Sequence, residues 1–189
     1  FEKISGKDLN WFFNQWYFGS GHPKLSYTST YEPVKKQVTV VINQSQEKPF
    51  EFPLAIDVYD NGKPKRSNVW VNAKAKNTFT FDASKAPDLI NINADGILVA
   101  EIMETKTPEQ SLIQFSNSKE FVSRYKALSA IKDADAKNPA VVKLLATALK
   151  DPFYRLREQA LNQIDLTNAD QAKALTAEVE TLASNDSKT

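Results

Sequence analysis

The chain has 189 residues, of which 41% are hydrophobic and 25% charged, with 24 lysines plus arginines against 23 aspartates plus glutamates and no cysteine. This is the balance of an ordinary globular protein, and its basic residues are scattered, which argues against a nucleic-acid partner because no phosphate-neutralising stripe is present. The missing cysteine excludes disulfides, thiolate metal ligands and a cysteine nucleophile, and no apolar run approaches the roughly 20 residues that cross a bilayer. The expected molecule is soluble, with cytoplasm and periplasm or exterior equally open as its compartment.

Phe1 stands where an initiator methionine would, and structure begins at once, so the chain reads as an internal piece of a longer one. Ser5 and Asp8 form a capping-box pattern. Leu9, Phe12, Phe13 and Trp16 come next with the i, i+3, i+4, i+7 spacing of a helical face, and Gly19 and Gly21 stop the helix. Trp11 and Phe18 fall off that face, which makes this segment apolar over more of its circumference than a surface helix usually is. It is expected to come from a buried setting, and in isolation to self-associate through its uncovered aromatics.

From residue 24 to 102 the period changes to two, as in Leu25, Tyr27, Ser29 and Tyr31 and again in Val38, Val40 and Ile42. Further strands are expected at 52–59, 68–71, 78–81, 89–92 and 97–102, with turns at Asp60-Asn61-Gly62 and Asp95-Gly96. Short strands in close succession without intervening helices imply an antiparallel β-sandwich.

After Met103 the pattern turns helical. Thr107-Pro108-Glu109-Gln110 offers an N-cap, a proline at the first helical position and a capping-box glutamine, and Asn138-Pro139 and Asp151-Pro152 repeat the device. Four or five helices are expected. Phe121, Arg124, Ala127, Leu128 and Ile131 recur as Tyr154, Arg157, Ala160, Leu161 and Ile164, an offset of about 33 residues typical of solenoids. Val142, Lys143, Leu145 and Leu149 are answered by Ala172, Lys173, Leu175 and Val179. The reading is a HEAT-like array of two helical hairpins.

At this point the order of parts and several local strings carry a resemblance. Residues 8–25, DLNWFFNQWYFGSGHPKL, resemble the segment in zinc aminopeptidases of the aminopeptidase N type where the last helix of the catalytic domain hands over to a β-sandwich, with Trp16, Gly19, Gly21 and Pro23 as the specific matches. VTVVINQSQ and PFEFPLAIDVY resemble paired strands of that sandwich, and Gln114, Phe115, Arg124, Tyr125, Ala127 and Leu128 the opening of the helical domain. The resemblance implies a catalytic-domain remnant over 1–23, the sandwich over 24–104 and the HEAT-like helices over 105–189. It also implies that the chemistry lies upstream, in an H-E-x-x-H zinc helix with a third glutamate, a G-x-M-E-N strand and a tyrosine. None of these strings occurs here, so no catalytic, cofactor-binding or metal-ligating residue is assigned. Zinc and the peptide substrate belong to the catalytic domain of the parent, which is the expected partner.

The residues point the same way without the family. A catalytic zinc needs about three protein ligands and an open position, and this chain has one histidine, His22, between Gly21 and Pro23. A structural or exposed role suits it better. A serine triad has no other histidine to recruit, and no G-x-S-x-G elbow presents a nucleophile. Asp57, Asp60 and Asn61 around Gly62 lack the acidic spacing of an EF-hand, and a hairpin turn explains the glycine. Glu101 and Glu104 flank a strand end where solvated charges are routine, and Lys63, Lys65 and Arg66 read as soluble loop charges. The alternatives to the peptidase piece are a free-standing sandwich-plus-HEAT adaptor that binds proteins and a piece of a catalytically dead homologue.

Overall fold

The computed structural model describes residues 1–185; residues 186–189, the end of the expected helical segment, lie outside the described part. Two sheets and a set of helices succeed one another along the chain. The first sheet has the order β5-β2-β1-β7 and the second β4-β3-β6. Here β1 is Lys24–Glu32, β2 Gln37–Gln44, β3 Phe52–Asp60, β4 Lys63–Val71, β5 Lys76–Asp82, β6 Leu89–Ile92 and β7 Glu101–Met103. The sheets face each other across one core, to which the first contributes Leu25, Val38, Val40 and Ile42 and the second Leu54, Ile56, Val58 and Ile92. This is the expected sandwich, and β2 shows why period two announced it: its buried residues alternate along the strand with half-buried ones.

Strand β3 breaks the alternation because it is buried on both faces from Leu54 to Tyr59. Ala55, Asp57 and Tyr59 lie on the face away from the inter-sheet core and are buried, and burial pushes the Tyr59 phenol up. Asn61 and Gly62 join β3 to β4 with φ of 53° and 71°, so the two-residue turn needs left-handed backbone at both positions. Three expectations about the strands need correction. Strand β4 begins at Lys63 rather than at 68, so Lys63, Lys65 and Arg66 sit on an edge strand, where charge is an ordinary guard against further pairing, and not in a loop. The strand expected over 97–102 is only Glu101–Met103. Moreover, β7 runs parallel to β1, so the sandwich is not wholly antiparallel.

Two further corrections concern the first helix. Ser5 closes a short helix α1, Glu2–Ser5, which ends at a left-handed Gly6, so Ser5 and Asp8 form no capping box. Leu9 is the N-cap of the next helical segment; its amide donates to Glu2 Oε1 at 2.8 Å and the Asn10 amide to Asp8 Oδ1 at 2.9 Å. Helix α2 is Asn10–Phe12 and continues as a π-helical turn over Phe13–Tyr17. The extra residue in that turn rotates the packed face. Of the expected face, Trp16 packs on the sandwich core, Leu9 and Phe13 are half-buried and Phe12 is exposed, while Trp11 and Gln15 join the packed side. Trp11 meets Trp70 edge-on with ring centroids 4.9 Å apart, and Trp16 lies 5.2 Å from Phe50. Gln15 exchanges two hydrogen bonds of 2.8 Å with the Glu51 backbone. Gly19 closes the turn so tightly that a Cβ would stand 2.5 Å from the Gln15 carbonyl oxygen, which explains the glycine.

Five helices complete the described chain: α3 Pro108–Asn117, α4 Phe121–Ser129, α5 Pro139–Ala148, α6 Tyr154–Leu161 and α7 Ala169–Asn185. The Thr107–Gln110 capping box opens α3 with both reciprocal bonds made. Helices α3, α5 and α7 pack in sequence as one layer, and α4 and α6 form the other. The internal repeat is visible in its hydrogen bonds. Arg124 Nη1 donates to the carbonyls of Ser118 and Lys119, and Arg157 Nη1 to those of Asp151 and Pro152, six and five residues upstream in each case. Ala127 and Ala160 are both fully buried at helix contacts. The alignment fails at one pair: Leu128 is buried, whereas Leu161 is 38% exposed and Leu156 carries the packing of α6 instead. Helix α6 is the last of its layer among the described residues, so the position that Leu128 fills against a neighbour is open at Leu161.

Candidate functional site

The groups picked out by sequence do not converge. His22 Nε2 lies 2.7 Å from Glu101 Oε1, with Lys24 Nζ 3.7 Å from the other oxygen, and all three side chains are exposed. The hydrogen bond from His22, and secondarily the Lys24 charge, hold the Glu101 carboxyl below the usual range. A carboxylate flanked by an imidazole and an ammonium at the rim of a sheet is a surface ion cluster. Asp57 is buried and joined in a fork to Arg66, with Nε to Oδ1 at 2.8 Å and Nη2 to Oδ2 at 2.9 Å. Asp60, three residues along the strand, points to the opposite side and accepts from Asn61 Nδ2 and Ser84 Oγ. Asp57 therefore stands apart from Asp60 and Asn61, the pair suspected with it of holding calcium, and Arg66 is engaged with Asp57 instead of joining Lys63 and Lys65 in an anion patch. Among the described residues no group of three or more histidine, aspartate or glutamate side chains is arranged to hold a metal ion.

Glu104 departs from the sequence reading, because it is not solvated. Its side chain is 15% exposed and pairs at 2.8 Å with Lys106 Nζ, which is 4% exposed. The connection between β7 and α3 is tucked against β1 and β6, so both charges leave water together, and desolvation pulls the Lys106 ammonium down while Glu104 opposes the shift. Beside them lies a concavity of about 630 Å³, lined by Tyr27, Ser29, Met103, Glu104 and Gln110 among others. The Tyr27 hydroxyl donates to the Ile90 carbonyl at 2.8 Å. Burial, aided by the Glu104 charge, holds its phenol well above the ordinary value. In this cavity the phenol is tied to a carbonyl and the ammonium to a carboxylate.

A second cleft, about 370 Å³, opens between the aromatic segment and the sandwich and is lined by Trp11, Phe12, Trp16, Pro53, Ile97 and Val99 with others. Its far wall is the loop after β6, which sequence had assigned to a strand. Asn93, at a φ of 52°, grips Leu98 by both backbone groups, at 2.9 and 3.1 Å. Leu98 turns toward the core while Ile97 and Val99 point outward, 78% and 75% exposed. Sequence reasoning found the aromatic helix but missed Trp70, Ile97 and Val99 as parts of the same face. Trp70, the one tryptophan outside that helix, was the available hint.

Compared by sequence, the chain matches no family model and no curated protein. Compared by fold, it is similar to the crystal structure of Legionella pneumophila aminopeptidase A in complex with aspartic acid, with a TM-score of 0.75 and 16% identity. The likeness covers 100% of this chain and 27% of that one, so the chain spans about a quarter of the solved protein's length. At this identity the likeness establishes an aminopeptidase-like fold.

Proposed function

We propose that this chain is a non-catalytic architectural module of a zinc aminopeptidase. In this reading the sandwich is a spacer, the HEAT-like helices help to wall a chamber for peptide substrates, and the zinc with its ligands is supplied by a catalytic domain outside the chain. The observation that carries the reading is the fold likeness, which runs the whole length of this chain yet takes up only 27% of an aminopeptidase. The donor set supports it. A catalytic zinc needs about three convergent ligands and an open position. His22, the one histidine, is engaged with Glu101 beside Lys24 on the surface, so the residues present do not fit the metal.

Metal analysis and an aminoacyl chromogenic assay on the purified chain test the reading. The expected result is no stoichiometric zinc and no release of the chromophore. About one tightly held zinc per chain, of the kind that supports catalysis, with turnover that a chelator abolishes, overturns it. The coding sequence upstream of Phe1 separates the two classes of function: a zinc helix there supports the peptidase module, and a stop or an unrelated domain supports a free-standing protein-binding adaptor.

A further inference from the structure

We infer that the free edge of β5 is a self-association surface, at which two copies of this chain join by pairing β5 with β5 antiparallel into one continuous sheet. Strand β5 is the outermost of the first sheet, with β2 on its inner side. The Ala75 carbonyl accepts from the Gln44 amide at 2.8 Å, and the Ala83 amide donates to the Lys36 carbonyl at 2.9 Å. Between these bonds the register runs unbroken from Asn43↔Lys76 to Gln37↔Asp82. Odd-numbered residues of β5 therefore turn their backbone groups toward β2, and Lys76, Thr78, Thr80 and Asp82 turn theirs outward. Those four residues are exposed.

An unpaired edge invites another strand, and natural sheets guard theirs with charge, proline or a bulge. One edge of the second sheet is guarded in this way, because β4 carries Lys63, Pro64, Lys65 and Arg66. Strand β5 is not: from Asn77 to Phe81 it has no charge, no proline and no break in register.

The sequence of β5, KNTFTFD, commits this edge to its own kind. A two-fold pairing centred on Phe79 sets Thr78 opposite the other copy's Thr80, and Lys76 opposite the other copy's Asp82. Every outward residue then exchanges backbone hydrogen bonds with its opposite number, and both ends close on a lysine–aspartate pair. A shift of two residues in either direction parts Lys76 from Asp82, so charge selects this register. Asp82 accepts one long hydrogen bond, 3.3 Å from Gln37 Nε2 to Oδ1, which leaves its other oxygen for the lysine. On the core side Phe79 and Phe81 are only partly buried, and the pairing brings the two Phe79 rings together at the axis. An unrelated strand can fill the hydrogen bonds, but it matches both ends only with the same spacing of acid and base.

Strand β5 contains no residue of segment 1–23, and the inference does not rest on the peptidase reading, so either can fail alone. Sedimentation equilibrium of the chain from micromolar to near-millimolar concentration is the test. The expected mass rises to that of a dimer. Lys76→Asp and Asp82→Lys should each weaken the dissociation constant about tenfold, because the two-fold axis sets like charges opposite at both ends, and the two together should restore it. Thr80→Pro removes an outward amide without touching the β2 ladder and should abolish the dimer. Circular dichroism matching that of the parent verifies that each variant folds, and if the proline variant does not, the charge swap alone decides. A monomer throughout overturns the inference. A dimer that these substitutions leave unweakened, or charge reversals that the swap does not rescue, overturn it as well.

Discussion

Asp151 joins the two helical hairpins, and its charge is the sharpest point at which to test the array. The residue is 6% exposed between α5 and α6. Its Oδ2 accepts from Arg124 Nε of the preceding hairpin at 2.8 Å, and its Oδ1 accepts from the Phe153 amide at 2.9 Å at the entry to α6. Asp151→Asn keeps the shape and an oxygen for the Phe153 amide but removes the charge. The Arg124 guanidinium, 15% exposed, is then left with the carbonyls of Ser118 and Lys119. Stripping the partner from a fully buried ion costs about 3 to 5 kcal/mol, and the carbonyl bonds and residual solvent contact place this case lower, at about 2 to 3 kcal/mol. Urea unfolding monitored by far-ultraviolet circular dichroism reads this as a midpoint lower by roughly 1 to 1.5 M, at a slope near 2 kcal/mol per molar. Arg124→Met combined with Asp151→Asn should recover part of the loss, because no unpaired cation remains. A midpoint unchanged by Asp151→Asn, or single effects that simply add in the double variant, would refute the bridge.

Ala160→Leu should overpack the α6 contact and cost about 1 to 3 kcal/mol in the same assay, since Ala160 is fully buried. An unchanged midpoint would show that the contact accepts the larger side chain and that the repeat alignment places the alanine wrongly. Tyr27 makes a prediction for alkaline pH. Burial raises its folded pKa above the unfolded value of about 10, so its contribution is complete below pH 10 and is lost as pH rises beyond it. Lys106, shifted downward, acts with the opposite sign, so the test is the difference between the parent and Tyr27→Phe. The variant should lose less stability between pH 9 and 11, and parallel curves would contradict the assignment.

How much of this fold could be read from sequence depended on whether the local period was the one that burial obeys. In β2 it was, because one face meets the core and the other does not, and the same logic exposed the helical repeat through Ala127 and Ala160. In β4 the apolar signal vanished at Lys63, Lys65 and Arg66, because this end of the edge strand is exposed on both sides: Lys63 and Lys65 share the side of Val69 and Val71, and Arg66 lies on the other. In the first helix the period itself was wrong. A projection at about 100° per residue assumes α geometry throughout, whereas the segment continues as a π turn over Phe13–Tyr17, and Trp11 and Gln15 stand on the packed side beside Trp16. The chemistry was misjudged where burial came from distant chain: nothing near Glu104 in sequence foretells that β1 and β6 remove it from water. The polar side chains that drew or escaped notice share one role. Gln15 holds the Glu51 backbone, Gln44 that of Phe50, Asn93 that of Leu98, and Asp151 that of Phe153. Each fixes a segment in place and satisfies backbone groups that burial would otherwise leave unpaired.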